Sequence, residues 1–182
     1  MKKAVTVISI ICVLIIAGVI LVLTGVIDLT AENQKQTEEK AASSYIEYTE
    51  SYILLSDDGT ALQLVSERPE GIPQISGINV KQMLIGEVLK VTDEENFNFA
   101  LSVVRDLNEN EISGIYEIYV NRENEIVMYV ESIKIILGRQ EKSGERIKKL
   151  ADLYDQLLVY KGTLDISELS ETNQDITLKI AD

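Results

Sequence analysis

An α+β domain held outside a membrane by a single N-terminal helix is the fold class this sequence predicts, and three observations predict it. Residues 4–27 form an uncharged apolar run long enough to cross a bilayer. Beyond residue 51, short apolar runs repeat with the period of two that marks strands. Their connections are mostly short, which predicts a mostly antiparallel sheet. Two longer segments repeat every three to four residues instead, as two helices covering one sheet face would. The expected division is a cytoplasmic tail at 1–3, a transmembrane helix at 4–27, a polar linker at 28–51 and an extracytoplasmic β-domain at 52–182.

The span runs from Ala4 to Ile27 without a charge or a proline, and its polar side chains are Thr6, Ser9, Cys12 and Thr24. At ~1.5 Å per residue a helix of this length reaches about 36 Å, enough for a hydrocarbon core of roughly 30 Å with some tilt. Backbone groups in lipid must bond one another, so the segment is expected to be helical. Lys2 and Lys3 precede it while Asp28 and Glu32 follow, and the positive-inside bias keeps the N-terminus cytoplasmic. The competing reading is a cleaved secretory signal. That asks for a shorter apolar core and a small-x-small site, and Leu23-Thr24-Gly25-Val26-Ile27 has no such pattern.

Charge and composition exclude several classes. Of 17 basic residues two precede the span, and all 30 acidic residues follow it, so the part after residue 27 carries a net −15. That opposes nucleic acid and anionic headgroups, and suits the solubility of an exported domain. The lone Cys12 sits in the span, so the exterior must be held by an apolar core rather than by disulfides. Histidine is absent, which removes the commonest general base and metal ligand. No phosphate loop, nucleophile elbow or zinc motif is present, and no cofactor is expected. The acidic clusters Asp57-Asp58 and Asp93-Glu94-Glu95 leave a carboxylate-dependent glycan hydrolase as the enzyme alternative.

Asp28–Ser44 is polar and lacks a core-forming stripe, so it reads as linker. Tyr52–Leu55 and Ala61–Val65 flank Ser56-Asp57-Asp58-Gly59-Thr60, where Asp-Gly signals a hairpin turn. Arg68–Pro73 holds both prolines and is a loop, and Ile75–Ile78 is too short to assign. Thr92-Asp93-Glu94-Glu95 fits a capping box with Thr92 as N-cap and Glu95 reaching back. Phe97, Ala100, Leu101, Val104 and Leu107 follow as one helical stripe.

Three strands come next. Tyr116, Ile118 and Val120 share one face, Ile126, Met128 and Val130 another, and Ile133, Ile135 and Leu137 a third. Asn121–Asn124 and Glu131-Ser132 are the turns between them. A second helix is expected from Ser143-Gly144 to about Lys161 on Ile147, Leu150, Ala151, Tyr154, Leu157 and Leu158, with Gly162 stopping it. Thr163–Ile166 and Asp175–Ile180 are the last strands. In the latter Ile176, Leu178 and Ile180 alternate with Thr177 and Lys179. The predicted order is ββαβββαββ.

Four words in this pattern carry a resemblance: Tyr52–Gly59, Ile72-Pro73-Gln74-Ile75-Ser76-Gly77, Ile135-Ile136-Leu137-Gly138 and Gly162-Thr163-Leu164-Asp165-Ile166. With their spacing and the anchor, they resemble the FtsQ/DivIB family of bacterial cell-division proteins over about Tyr52 to Ile180. The resemblance implies a non-enzymatic scaffold that couples the division machinery to septal peptidoglycan synthesis. It also implies small single-span partners of the FtsL and FtsB/DivIC type, which add a strand to the edge near the C-terminus of the domain. On this chain that edge is Ile176, Thr177, Leu178, Lys179 and Ile180. A terminal strand with free backbone groups is a template for strand addition on physical grounds too. The family's POTRA domain has no room in Asp28–Ser51, and Ser167 stands where many relatives place arginine. The alternative is a membrane-tethered envelope binding or sensor module that uses the same domain outside division.

Overall fold

The longest apolar runs, Ile115–Val120, Ile126–Val130 and Ile133–Gly138, lie side by side within one sheet, and a three-residue strand, Gln74–Ser76, takes its place beside them through its neighbours on both sides. The computed structural model describes residues 40–169, 173 and 176–180. The chain divides into two compact units, Met1–Lys40 and Ala41–Asp182. The expected anchor, with its limits Ala4 and Ile27, lies outside the described residues.

In chain order the second unit runs β1 (Ser44–Tyr48), β2 (Ser51–Leu55), β3 (Ala61–Val65), β4 (Gln74–Ser76), β5 (Val80–Gln82) and β6 (Lys90–Val91). Then follow α1 (Glu94–Glu109), β7 (Ile115–Val120), β8 (Ile126–Val130), β9 (Ile133–Gly138), α2 (Ser143–Ala151), α3 (Tyr154–Leu157), β10 (Gly162–Asp165) and β11 (Thr177–Ile180). Nine strands form one sheet in the order β11-β10-β9-β8-β7-β4-β1-β2-β3, and β5 pairs with β6 beside it.

This corrects the predicted fold class. The sheet is mixed rather than mostly antiparallel: β1 lies parallel to β4, β4 to β7, and β9 to β10. Three helices are described rather than two. Among the described residues, no helix is long and apolar enough to cross a membrane. The domain starts at β1, inside the stretch assigned to the linker. Two of the three parallel pairs follow from long crossovers, β4 to β7 through α1 and β9 to β10 through α2 and α3, and the third, β1–β4, forms as the chain returns past β1 after the β2–β3 hairpin. A helical crossover returns a chain parallel to itself, where a short turn would reverse it. Both crossovers step the same way across the sheet, so right-handed connections put both on one face. There α1 packs against α2.

The core between sheet and helices holds Ile53, Leu55, Ile75, Ile118, Met128, Ile135 and Leu164 from the strands. Phe97, Leu101, Val104, Ile147 and Leu150 face them from the helices. The opposite sheet face is only partly covered. Register puts Tyr52, Leu54, Gln74, Ser76, Glu117, Tyr119, Tyr129, Lys134 and Ile136 there, most of them half-buried.

Several local readings shift by a residue. The N-cap of α1 is Asp93, not Thr92: its carboxylate accepts from the Asn96 backbone N–H at 3.0 Å and from Asn96 Nδ2 at 2.7 Å. The box is thus closed by Asp93 and Asn96. In β7 a register shift between Ile115 and Glu117 turns Tyr116 out, and Ile115 takes the core position instead. The second predicted helix breaks at Asp152-Leu153, where i→i−3 hydrogen bonds (Leu153 N–H to Leu150 O, 3.0 Å; Gln156 N–H to Leu153 O, 3.1 Å) tighten the backbone. A straight helix over 143–161 would reach about 28 Å, beyond a six-residue strand of about 20 Å. The break brings Tyr154 and Leu157 back onto the core.

Tyr154 donates its buried hydroxyl to the Ser113 carbonyl, and burial pushes the phenol up to about 12, with Glu131 and Asp155 adding to the shift. The folded chain therefore holds this proton more tightly than the unfolded one. The stability involved is fully present below the ordinary phenol pKa of about 10 and is lost as pH rises from there to about 12. Urea unfolding across that window is expected to lose about 1.4 kcal/mol per pH unit from this group. Tyr154→Phe should remove that slope while losing about 1 kcal/mol at neutral pH. An unchanged slope would assign alkaline sensitivity to another group.

Candidate functional site: the β11 edge

β11 is the outermost strand on its side of the sheet, paired antiparallel with β10 in an unbroken register from Gly162↔Ile180 to Asp165↔Thr177. Leu178 lies opposite fully buried Leu164, is half-buried and packs against the core, so it seats the strand. Thr177 and Lys179 are exposed. Ile176 is 37% exposed and Ile180 62%. Ile180 is open for a local reason: its partner is a glycine, with no side chain to cover it. The described residues of the candidate edge, 176–180, are thus brought to a sheet margin. Asp175, the predicted start of the strand, lies outside the described residues.

Gly162 has a different role from the helix stop expected of it. It opens β10 with φ +144°, and a Cβ there would meet the Lys179 carbonyl oxygen at 2.0 Å and Ile180 Cα at 3.0 Å. Only glycine lets the two backbones approach this closely.

The opposite margin is built differently. β3 carries a register irregularity against β2, and the loop after β5 covers its start: Ala61 N–H donates to Glu87 O at 2.9 Å and Gly86 N–H to Ala61 O at 2.8 Å. One edge is therefore bulged and capped, while the other is regular and borders no strand among the described residues.

One carboxylate of each acidic cluster, Asp58 and Asp93, is bound into local structure. Asp58 Oδ1 accepts from Ser56 Oγ (2.6 Å), Thr60 N–H (3.1 Å) and Thr60 Oγ1 (2.7 Å), which closes the turn that Gly59 makes at φ +80°. Asp93 spends both oxygens on Asn96, whose amide also reaches Asn124 Oδ1 at 2.9 Å. A cleft of about 370 Å³ beside them is lined by Asp93, Glu95, Glu123, Arg139 and Glu141 among others. Among the described residues, no group of three or more His, Cys, Asp or Glu side chains could hold a metal ion.

Two features escaped the sequence reading. Arg146, on the apolar stripe of α2, is 6% exposed and donates to the carbonyls of Ser167, Arg139 and Glu141. Its position one residue before Ile147, at helical spacing from Leu150, was the legible signal. Arg68 donates from Nε to Tyr45 Oη at 2.7 Å and folds its loop over the other sheet face, which leaves Tyr45 1% exposed. Nothing local in the sequence joins those two residues. Compared with known proteins, the chain is matched by no family model and by no curated protein.

Proposed function

We propose that this chain is a non-enzymatic cell-division scaffold of the FtsQ/DivIB kind. In this reading residues 4–27 hold it at the membrane with the N-terminus cytoplasmic, and it works at the division septum. It captures small single-span proteins of the FtsL and FtsB/DivIC type by strand addition to β11, coupling them to septal peptidoglycan synthesis. The observation that carries the reading is the asymmetry of the two sheet margins: a regular outermost strand at β11 against a bulged, capped one at β3. Exposed Ile176 and Ile180 offer a partner strand apolar contacts beside the backbone hydrogen bonds. The words that carry the resemblance fall at structural junctions. Ile72–Gly77 leads through β4, Ile135–Gly138 ends β9, and Gly162–Ile166 is β10 with the residue after it.

The test is a pull-down of the full chain from detergent-solubilised membranes beside a version stopped after Thr172, which removes β11. Small coiled-coil division proteins are expected with the first and not with the second. Capture by both would move the interface away from β11. Capture by neither, with a known family member positive in the same preparation, would end the division reading.

A second reading, an envelope binding or sensor module, draws on the half-covered sheet face. There Tyr116 and Tyr129 lie 6.2 Å apart, and Ser76 Oγ donates to Glu117 Oε1 at 2.6 Å, an array of rings and polar groups suited to sugar. Localisation separates the two, since a division scaffold gathers at the septum.

A further inference from the structure

The loop between β5 and β6 gathers several exposed aliphatic side chains. Leu84 is 46% exposed, Ile85 55% and Val88 55%, and Leu64 on neighbouring β3 is 44% exposed. A Cβ added to Gly86, between Ile85 and Glu87, would meet nothing within 4 Å, so the tip's outer side faces solvent while its backbone is held to β3 by Gly86 N–H to Ala61 O at 2.8 Å. It is also held in shape. Glu87 N–H closes the turn on Leu84 O at 3.1 Å, Val88 bridges to Thr60, and Leu89 N–H donates to Gly59 O at 2.9 Å. Leu89 and Val91 below it are buried in the core. A braced loop that holds three neighbouring aliphatic side chains in solvent is a candidate contact for a non-aqueous surface.

We propose that this tip docks on a lipid bilayer, with Leu84, Ile85 and Val88 entering the acyl boundary. The inference rests on the membrane-tethered reading above and deepens it. Its second support is where the chain enters the domain. Ser43 N–H donates to Leu55 O at 2.8 Å, Leu55 is the partner of Ala61, and Ala61 is hydrogen-bonded to Gly86 and Glu87. Entry point and tip therefore lie at the same end of the sheet, three inter-strand steps or roughly 15 Å apart. Residues 28–42 are all that separate that entry point from the apolar stretch 4–27. The chemistry agrees. Apart from exposed Glu87, the tip's side chains are aliphatic, without the Trp, Tyr or Arg that anchor protein interfaces. Exposed Lys81 and Lys90 stand on the two-stranded stem below the tip, Lys90 with its Nζ on Gln82 Oε1 at 3.3 Å, and lysine stems of this kind suit the border of a bilayer.

The chain has no tryptophan, so a single introduced one reports its own surroundings. Full-length Ile85→Trp, with Val88→Trp as a second reporter, would be placed in phosphatidylcholine vesicles with and without brominated chains. Leu14→Trp reports the tether, and Glu123→Trp reports the far end of the sheet. The expected result is blue-shifted emission quenched by bromolipid at 85 and 88, as at 14, with no quenching at 123. Quenching at 14 but at neither 85 nor 88 overturns the docking and leaves the tether standing. Loss of quenching at 14 overturns the tether and the docking with it. Blue-shifted but unquenched emission at 85 and 88 assigns the tip to a protein surface instead, which also overturns the proposal.

Discussion

Replacing Gly162 with alanine is expected to release β11 from the sheet while leaving the rest of the domain folded. The added Cβ would lie 2.0 Å from the Lys179 carbonyl oxygen and 3.0 Å from Ile180 Cα, both of them backbone atoms of β11. A flexible side chain could swing away; a strand must move as a unit. Gly162 itself is held from the other side by parallel pairing with Ile133 and by its N–H donating to Ser132 O at 3.1 Å. Among the described residues β11 has β10 alone as its neighbour, so β11 yields. The φ of +144° adds strain of about 1–3 kcal/mol for any L side chain. Amide exchange should show residues 178–180 losing protection while β7, β8 and β9 keep theirs. Under the scaffold reading, partner capture should fall to the level of the chain stopped after Thr172. An alanine variant that captures partners as the parent does would remove β11 from the interface.

What the sequence disclosed follows from the range of each interaction. β7, β8 and β9 were legible because their apolar positions alternate and their turns are short, so pattern and pairing are both local. The hairpin of β2 and β3 was legible from Asp58-Gly59 for the same reason. β4 has three residues and owes its place to β1 on one side and β7 on the other, partners that no short turn dictates. β1, with Glu47 and Tyr48 exposed at its end, reads locally as linker and becomes a strand only through β2 and β4. The parallel β9–β10 pair was within reach, since a helix between two strands implies a crossover. The candidate edge was legible as the last strand of the pattern. Its closest contact was not: Gly162 looked like a helix stop because helix ends and close strand approaches ask for the same residue.

Arg146→Ala is expected to be the most destabilising single change outside the apolar core, by about 3–5 kcal/mol. The Arg146 guanidinium is buried and reaches three carbonyls: Arg139 just past β9, Glu141 on the way to α2, and Ser167 just past β10. Its Nε makes no hydrogen bond among the described residues. Burial lowers its pKa, while Glu168, Glu141 and Glu145 act in the opposite direction and help keep the charge in place. Hydrogen bonds from a charged donor are worth about 1.5–3 kcal/mol each, and truncation strips three carbonyls of their donor at once. Arg146→Lys should recover part of the loss, because one ammonium cannot span what a planar fork spans. Arg146→Met should recover packing but no hydrogen bond. The expected urea midpoints therefore run parent, lysine, methionine, alanine. Unfolding free energies equal within about 0.5 kcal/mol would reduce the clamp to a surface contact. The consequence reaches the margin of the sheet. The three carbonyls fix the ends of β9 and β10, and β10 is the one strand on which β11 is seated. The alanine variant should therefore loosen residues 177–180 even where the α1 side of the core stays protected.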